Sequence, residues 1–441
     1  MAEFVVTGGN PLRGEVEISG SKNVALKAIV AGLLTEDELV IENVPVISDL
    51  SLMEEIAREL GVKIEKSPKT IKIQAGYLKN NRVPLEMGAR LRTSSMFIAP
   101  LLARLGQAVI PNPGGCRIGA RPIDRHIKGL MKMGVKIRYS ARDGYFHAEG
   151  KNIKGTTYRF PKNTHTGTET LIMAAVLAEG QTILENAAQE PEVDDLLDLL
   201  NSMGAKIKRV KPRTIVIQGV EKLHGTTFKI IPDRNEAVTF AIAALATDGE
   251  ILLKNAEKKV LKPFLEKVKE AGGNYQETAK GLRFFKNGKL RATDIITSPY
   301  PGFMTDWQAP WALLMTQAEG ISSIHETVYE SRFQYVEELR KMGAKIELFN
   351  PKIKNPRDFY NFNWEDNRAE HFHAARIFGP TKLHNAVLQI SDLRAGATLV
   401  LAALLASGES YVVGVEHLDR GYEDFEKRLR ILGAKIKRIK E

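Results

Sequence analysis

The sequence has very little cysteine and no long apolar run. One cysteine among 441 residues cannot form an internal disulfide, which excludes a disulfide-stabilised scaffold and removes any need for an oxidising compartment. The longest apolar runs, such as residues 397–406, are too short to span a membrane. The opening MAEFVVTGGNPLRGEVE contains no basic region followed by an apolar stretch. We therefore expect no secretion signal, no membrane insertion and a cytoplasmic location.

The charge balance is basic, with 63 Lys plus Arg against 53 Asp plus Glu and a net charge of +10. A basic total suits either a nucleic-acid surface or a pocket for acidic small molecules, and only the positions of the cations distinguish the two. The length suggests two domains, or three.

A glycine-containing phrase of the type LGVKIEK or MGAKIKR recurs six times. Its glycines are Gly61, Gly134, Gly204, Gly272, Gly343 and Gly433, spaced by 73, 70, 68, 71 and 90 residues. Each phrase follows an amphipathic helix pattern, as expected when a glycine in the left-handed conformation ends a helix. Alternating strand patterns surround each phrase, and a second, more apolar helix pattern lies upstream. The sequence therefore predicts an α/β protein of six βαβαββ repeats, three in each of two lobes.

The longest interval contains an insertion, residues 349–378, with seven of the 31 aromatic residues of the chain. We interpret it as a surface lobe whose aromatic side chains pack against one another or against another subunit. It also contains His371 and His373, but no carboxylate or thiol completes a familiar ligand spacing, and we expect no metal.

Charged residues recur at the start of the first helix of the repeats. Counted back 14 or 15 residues from the turn that follows this helix, the position holds Lys22, Arg92, Thr166, Arg234, Asp306 and Arg394. Counted back 11 or 13 residues from the phrase glycine, the start of the second helix holds Arg121, Arg332 and Arg420.

A cation at a helix N-terminus opposes the helix dipole, by about 0.3–1 kcal/mol, unless an anion lies between them. Pairing with local carboxylates would explain single residues, but the whole set favours phosphate or carboxylate ligands. A duplex-binding surface would instead show a continuous basic stripe and a reading helix, so we expect no nucleic-acid partner.

The lone cysteine lies in PNPGGCRIGARPIDRH, in a connection about four residues longer than those of its sister repeats. Gly114, Gly115 and Gly119 permit movement, and Arg117 and Arg121 favour the thiolate of Cys116. This context predicts a reactive thiol on a mobile lid rather than an inert buried cysteine.

Four segments together resemble the UDP-N-acetylglucosamine 1-carboxyvinyltransferases, the MurA-type enolpyruvyl transferases of the EPSP synthase superfamily. They are GEVEISGSKNVALK, PGGCRIGARPIDRH, TDWQAPWALL and SDLRAGATLVLAALLASG, and the likeness covers nearly the whole chain outside the insertion. The resemblance implies two inverse αβ barrels of three repeats each, with the active site in the cleft between domains. The expected domains are 22–233, carrying Cys116, and 1–21 plus 234–441, carrying the insertion.

The family reaction transfers the enolpyruvyl group of phosphoenolpyruvate to the 3′-hydroxyl of UDP-N-acetylglucosamine, releasing phosphate. It is the first committed step of peptidoglycan precursor synthesis, and it needs no metal or organic cofactor. Oligomeric state stays open.

The resemblance also implies roles for residues at matching positions. Cys116 would protonate C3 of phosphoenolpyruvate, and Asp306 would be the general base. Lys22, Arg121 and Arg420 would surround the phosphate, and Arg332 and Arg394 the carboxylate and reaction centre. The remaining positions that match substrate-binding residues are Asn23, Arg92, Pro122, Ile123, Asp124, Arg125 and Val328.

Two features depart from the family pattern. The nucleotide-contacting segment reads Asn163, Thr164, His165, Thr166, where the family often has a lysine followed by small residues, and the aromatic insertion is atypical. The alternatives are therefore the sister reaction on shikimate 3-phosphate and a divergent, non-catalytic or regulatory paralogue. The cysteine loop has no purpose in the sister reaction, and the intact Lys22, Cys116, Asp306 and Arg394 argue against a silent paralogue.

Overall fold

A computed structural model of this chain describes residues 2–115 and 118–440. Cys116 and Arg117 lie outside the described residues. The strands within the described part are β1 Ala2–Thr7, β2 Arg13–Glu17, β3 Glu38–Glu42, β4 Lys63–Ser67, β5 Thr70–Gln74, β6 Gln107–Pro111, β7 Lys136–Ser140, β8 Tyr145–Glu149, β9 Thr157–Arg159, β10 Gln181–Glu185, β11 Lys206–Lys211, β12 Thr214–Gln218, β13 Thr227–Lys229, β14 Glu250–Lys254, β15 Gly273–Thr278, β16 Gly281–Lys286, β17 Ile295–Ile296, β18 Gly320–His325, β19 Lys345–Phe349, β20 Ala374–Gly379, β21 Val387–Gln389, β22 Glu409–Val413 and β23 Lys435–Lys440.

The α-helices of the same residues are α1 Lys22–Gly32, α2 Ser48–Glu59, α3 Leu85–Gly88, α4 Ile98–Leu105, α5 Asp124–Lys132, α6 His165–Ala175, α7 Pro191–Ser202, α8 Arg234–Ala246, α9 Lys258–Glu270, α10 Gln308–Met315, α11 Tyr335–Lys341, α12 Pro356–Phe359, α13 Leu393–Leu405, α14 Glu416–Asp419 and α15 Phe425–Ile431. Short 3₁₀ helices span Arg92–Phe97, Thr305–Trp307 and Trp364–Asp366.

The glycines of the recurring phrase end helices as predicted. All six take a left-handed φ, between 84° and 102°, directly after the C-cap of α2, α5, α7, α9, α11 or α15. A side chain at such a backbone position would be strained, so glycine is favoured there for its conformation. The repeat predicted from the sequence is therefore a structural repeat.

The chain divides into two compact units. Within the described residues, unit 1 comprises 2–19, 118–121 and 232–440, and unit 2 comprises 20–115 and 122–231. These bounds differ from the expected ones mainly in the assignment of 118–121 to unit 1.

Each unit contains three of the six sheets. In unit 2 the strand orders are β13-β3-β5-β4, β6-β8-β7 and β11-β12-β10-β9. In unit 1 they are β15-β16-β14-β2, β17-β18-β20-β19 and β21-β22-β1-β23. β1 pairs antiparallel with both β22 and β23, so the N-terminal strand completes the sheet of the last repeat.

The first helix of a repeat lies inside its unit and the sheets lie outside. Helices α1, α8 and α13 each bury all but one of their residues. A helix that is apolar on all sides is stable only where neighbours cover it, and α13 packs against α8, α10 and α11. Outer strands alternate between buried and exposed residues, as in β5. The predicted α/β class of inverse barrels is confirmed, and the starts of the inner helices are where the charged residues lie.

Among the described residues, no helix is long and apolar enough to cross a membrane.

Candidate active site

The cations predicted at the first-helix position lie at helix starts. Lys22 is the first residue of α1, Arg92 begins a 3₁₀ turn that leads into α4, and Arg234 begins α8. Asp306 and Arg394 are each the second residue of their helix, a 3₁₀ turn and α13.

The second-helix set is displaced from its expected place. Arg121 and Arg332 precede the first residues of α5 and α11 by three residues, and Arg420 precedes α15 by five. The spacing from the phrase glycine overestimated the lengths of these helices. These three side chains therefore project from connecting segments, and the dipole argument made for them from the sequence does not apply.

In unit 1, Asp306 lies between two buried arginines. Arg332 Nη2 donates to Asp306 Oδ1 over 2.7 Å, and Arg394 Nε lies 3.9 Å from Asp306 Oδ2. Both arginine residues are 7% exposed, while a quarter of the Asp306 side chain stays accessible. Buried guanidinium groups require counter-charges, and Asp306 supplies one to each while remaining partly open to a ligand.

Both guanidinium groups stay charged. Burial lowers the pKa of Arg332, but the negative charges of Asp306 and Asp392 outweigh this effect and raise it above its usual value. Burial likewise opposes the charge of Arg394, whose pKa is nevertheless raised, chiefly by Tyr422 and Asp233. The pair therefore forms a permanently positive site suited to a planar carboxylate.

Arg394 is fixed from several sides. Asp392 caps α13 by accepting hydrogen bonds from the backbone N–H groups of Arg394 and Ala395, at 2.9 and 3.1 Å. The guanidinium lies 5.2 Å from the ring centre of Tyr422, yet its Nη1 atom is buried and has no hydrogen-bond partner among the described residues. A buried donor without an acceptor is costly, which is consistent with a ligand that supplies one. Arg420, two residues before Tyr422, is half-buried.

The segment that carries Val328 is held by a buried glutamate. Glu326 Oε1 accepts the backbone N–H groups of Val328 and Tyr329, at 2.8 and 3.1 Å. Its Oε2 accepts from Thr305 Oγ1 at 2.9 Å and Gln308 Nε2 at 3.0 Å. Burial raises the pKa of Glu326, and these hydrogen bonds act against that rise. Glu326 thus ties the segment after β18 to the turn that carries Asp306.

The described end of the cysteine loop contacts the same segment. The backbone N–H of Ala120 donates to Glu330 Oε1. A Cβ at Gly119 would lie 2.5 Å from that carboxylate, and φ there is 144°, so only glycine fits. Arg121 lies 5.3 Å from the ring centre of Tyr329, and its Nε is buried without a hydrogen-bond partner among the described residues. Contacts within unit 1 therefore connect five predicted site residues, which are Arg121, Asp306, Val328, Arg332 and Arg394. Cys116 itself lies outside the described residues.

In unit 2, Lys22 is buried and paired. Its Nζ lies 2.7 Å from Asp49 Oδ2 at the start of α2, and Asn23 beside it is half-buried. The local-carboxylate explanation weighed for single cations is thus correct for Lys22, as it is for Arg332.

The predicted run from Arg121 to Arg125 connects to the atypical segment at the start of α6. Arg92 Nη2 donates to the carbonyl of Pro122 at 3.1 Å, and Arg125 Nη1 donates to the carbonyl of Asn163 at 3.0 Å. Ile123 is buried at the start of α5, and Asp124 is its first residue. This network gathers Arg92 and the residues 122–125 around residue 163.

The pKa values of two histidines near residue 163 are shifted in opposite directions. Burial, with the charges of Arg92 and Arg125, lowers the pKa of His126 to about 3, and its Nε2 lies 2.9 Å from Thr166 Oγ1. Burial also acts to lower the pKa of His165, but the charge of Glu169 raises it above its usual value. Glu169 also lies 3.2 Å from Lys27 Nζ, with both side chains buried. His165, where the sequence departs from the family pattern, therefore belongs to a cluster of charged groups with Glu169 and Lys27.

Comparison with known proteins identifies the family. The EPSP synthase family (3-phosphoshikimate 1-carboxyvinyltransferase) matches residues 6–429. The UDP-N-acetylglucosamine 1-carboxyvinyltransferase of Koribacter versatilis is 43% identical over 445 residues, covering 100% of this chain and 97% of the relative. The enzyme of the same name from Acidobacterium capsulatum is 43% identical over 444 residues, covering 100% and 96%. This chain belongs to the UDP-N-acetylglucosamine 1-carboxyvinyltransferase family.

A solved structure agrees with this membership. The enolpyruvyl transferase NikO from Streptomyces tendae superposes with a TM-score of 0.85 at 25% identity, covering 99% of both chains. The resemblance found in the sequence motifs is confirmed. Among the described residues, no group of three or more His, Cys, Asp or Glu side chains is arranged to hold a metal ion.

Sequence reasoning missed three acidic residues that contact the predicted site residues or their segments. Asp49, Glu326 and Glu330 each contact a residue predicted to bind substrate or the loop that carries one. Glu326 and Glu330 lie two residues before and two residues after Val328, but their partners come from distant segments and no local sequence signal indicates them.

Proposed function

We propose that this chain transfers the enolpyruvyl group of phosphoenolpyruvate to the 3′-hydroxyl of UDP-N-acetylglucosamine and releases phosphate. This would be a cytoplasmic step that commits the sugar to peptidoglycan precursors, and so to cell-wall growth, cell shape and division. The observation that carries the proposal is 41–43% identity, across the whole chain, to enzymes named for this reaction. The placement of Asp306 between Arg332 and Arg394 supports it chemically.

The reaction needs an acid and a base in defined places. Protonation of C3 of the enol ether leaves an oxocarbenium-like C2, which the sugar hydroxyl attacks while losing its proton. We assign the protonation to Cys116 and the acceptance of the hydroxyl proton to Asp306. Loss of a proton from the resulting C3 and departure of phosphate from C2 then regenerate the enol ether in the product.

The arginine pair explains how Asp306 becomes a base. Its Oδ1 accepts a hydrogen bond from Arg332 at 2.7 Å, so this oxygen is occupied before substrate binds. The carboxylate of phosphoenolpyruvate has the charge and planar shape to take over the guanidinium groups of Arg332 and Arg394. Asp306 would then be released to the acceptor hydroxyl only after the first substrate has bound.

The other cations suit the phosphate groups. Lys22, Arg121 and Arg420 are assigned to the phosphate of phosphoenolpyruvate, where positive charge stabilises the leaving group. Asn23, Arg92, residues 122–125 and Val328 are assigned to the two substrates, chiefly the nucleotide sugar. The Nε of Arg121, which has no hydrogen-bond partner among the described residues, is a donor available to such an anion.

The test measures phosphate release from phosphoenolpyruvate with UDP-N-acetylglucosamine, with shikimate 3-phosphate as the competing acceptor. We expect release with the nucleotide sugar alone, and none from the Asp306→Ala variant. Release only with shikimate 3-phosphate would establish the sister reaction. No release with either acceptor, together with calorimetric binding of the nucleotide sugar, would establish a non-catalytic paralogue.

A further inference from the structure

Of the insertion predicted at residues 349–378, residues 350–373 lie between β19 and β20 and build a compact aromatic cluster on β18 of unit 1, whereas Phe349 and residues 374–378 belong to those two strands. Tyr360 stacks on Trp364 with ring centres 5.3 Å apart and planes at 13°, and on Phe362 at 4.9 Å. Its hydroxyl lies 3.1 Å from His325 Nε2 at the end of β18. The predicted packing of aromatic side chains against one another is confirmed for Tyr360, Phe362 and Trp364, and Tyr360 also contacts the end of β18.

A pocket of about 800 Å³ opens in this insertion. Such a volume lies within the range of small-molecule sites, which is roughly 300–1,000 Å³. Its lining includes Trp364, His373 and Asn367 together with the cations Lys352, Lys354 and Arg368. None of the described residues that line it is a carboxylate, and none is a residue assigned above to the two substrates.

His373 gives this pocket buried polar groups that lack partners. The residue is 2% exposed, and neither ring nitrogen has a hydrogen-bond partner among the described residues. Its backbone is fixed, because its N–H donates to Asn350 Oδ1 at 2.9 Å and its carbonyl accepts from Glu326 N at 2.8 Å. The ring is held 4.9 Å from Tyr360 and 5.8 Å from Trp364, measured between centres. The imidazole ring is therefore held in place, although its nitrogens bond to no polar group among the described residues.

The imidazole is neutral and so carries one donor and one acceptor. Burial, and more weakly His371 and His325, lowers the pKa of His373 to about 4. Asn367 also lines the pocket, and its buried Oδ1 has no hydrogen-bond partner among the described residues. Buried polar groups without partners cost free energy. A ligand with hydrogen-bonding groups in the plane of a ring would give partners to the imidazole of His373 and to Oδ1 of Asn367.

The rim of the pocket is positively charged. Lys352 and Lys354 are exposed, and no ion pair of either is recorded among the described residues. Arg368 has only a loose, exposed contact of 3.9 Å with Glu370. Three cations close to a face of aromatic rings suit an anionic group attached to a flat ring system.

We propose that the pocket of the insertion binds a nucleoside monophosphate or a similarly flat heterocyclic phosphate. The ring system packs against Trp364 and bonds to His373 and Asn367, and the phosphate lies at Lys352, Lys354 and Arg368. The residues that line this pocket are not among those assigned to the two substrates, and the proposal does not depend on the proposed function.

The fluorescence of Trp364 provides the test, because Trp307 and Trp311 are fully buried elsewhere in unit 1. The full chain is titrated with AMP and with UMP, and in parallel with inorganic phosphate and with adenosine, and binding is followed by fluorescence and by calorimetry. We expect at least one nucleotide to quench the fluorescence and to bind at least fivefold more tightly than phosphate or adenosine. The Trp364→Phe variant should keep calorimetric binding and lose the quenching.

Variants at the rim and at the buried histidine make the test specific. Replacing Lys352 and Lys354 together with alanine should weaken nucleotide binding about fivefold or more, whereas Lys262→Ala with Lys435→Ala, which removes two exposed lysines elsewhere, should leave it unchanged. His373→Phe keeps an aromatic ring and should weaken binding without changing the phosphate dependence. No quenching of Trp364 by either nucleotide, quenching that occurs no more tightly than inorganic phosphate binds, or quenching that is unchanged in the Lys352 and Lys354 double variant would each overturn the proposal.

Discussion

Replacing Asp306 with asparagine separates the chemical role of this residue from its structural role. Asparagine keeps the shape and the Oδ1 acceptor that Arg332 Nη2 reaches at 2.7 Å, and removes the charge and the basic site. A positioned general base contributes about 10²–10⁴-fold in rate, or about 3–5 kcal/mol. We therefore expect kcat for enolpyruvyl transfer to fall by about 10²–10⁴-fold.

The same substitution has a calculable cost in stability. Removing one partner of a fully buried ion pair costs about 3–5 kcal/mol. Asp306 is a quarter exposed, and Arg332 keeps Asp392 and Glu326 as nearby negative charges, so we expect a loss of only about 1–2 kcal/mol. The folded protein should still accumulate, which makes the kinetic measurement meaningful.

The Michaelis constant for phosphoenolpyruvate discriminates between the two roles. With Asp306 neutral, the two guanidinium groups keep their charge and lose a competing anion, so KM should stay constant or fall. A merely structural residue would instead give a raised KM and a smaller effect on kcat. The assay is steady-state phosphate release, with Asp194→Asn as the control, because Asp194 also pairs with an arginine, Arg209, on the surface of unit 2. A kcat within tenfold of the parent value would refute the assignment of Asp306 as the base.

Three further predictions concern the surroundings of the site. Glu326→Gln can offer an acceptor at only one end of its side chain, so two of its four donors lose their partner and the free energy of unfolding should fall by about 2–4 kcal/mol in urea titrations; an unchanged midpoint would contradict this. Gly119→Ala should lower turnover, because its Cβ would collide with Glu330, whereas Gly288→Ala, which has a similar φ but open space, should leave turnover unchanged. His126, with a pKa of about 3, should stay neutral in NMR titrations down to about pH 4. Because folding lowers its pKa, its contribution to the free energy of unfolding is complete above about pH 6.5. That contribution is lost as the pH falls towards 3, by up to about 1.4 kcal/mol per pH unit.

The periodic features of the fold were predictable from the sequence because each is local. A glycine such as Gly61 ends its helix through its own backbone conformation, and an all-apolar helix such as α13 must be covered. The starts of the second helices were not predictable from spacing. Arg332 was placed at a helix start, but α11 begins three residues later, at Tyr335.

The partners of the site residues could not be predicted, because they depend on contacts between distant segments. Asp306 and Arg332 are 26 residues apart, and the chain between them includes α10 and β18, so their contact depends on how these elements pack. Glu326 joins the turn before α10 to the segment after β18, and no local pattern marks a residue whose four hydrogen-bond donors come from two segments. The sequence supplied the types of residue at the site, and the folded sheets supplied their pairing.

The repeats also explain why an acid lies among the cations. Lys22, Arg92, Arg234 and Arg394 occupy the start of an inner helix, the position that in the fifth repeat holds Asp306. At that position the fold already delivers a side chain to the end of a buried helix, close to arginines that need a counter-charge. Reversing the sign once therefore gives Arg332 and Arg394 a shared counter-charge and leaves the three groups with a net positive charge. Under the proposed function, Asp306 would accept the hydroxyl proton only after a substrate carboxylate had displaced it from these arginines, and the charge at one repeated position would then impose the order of the two events.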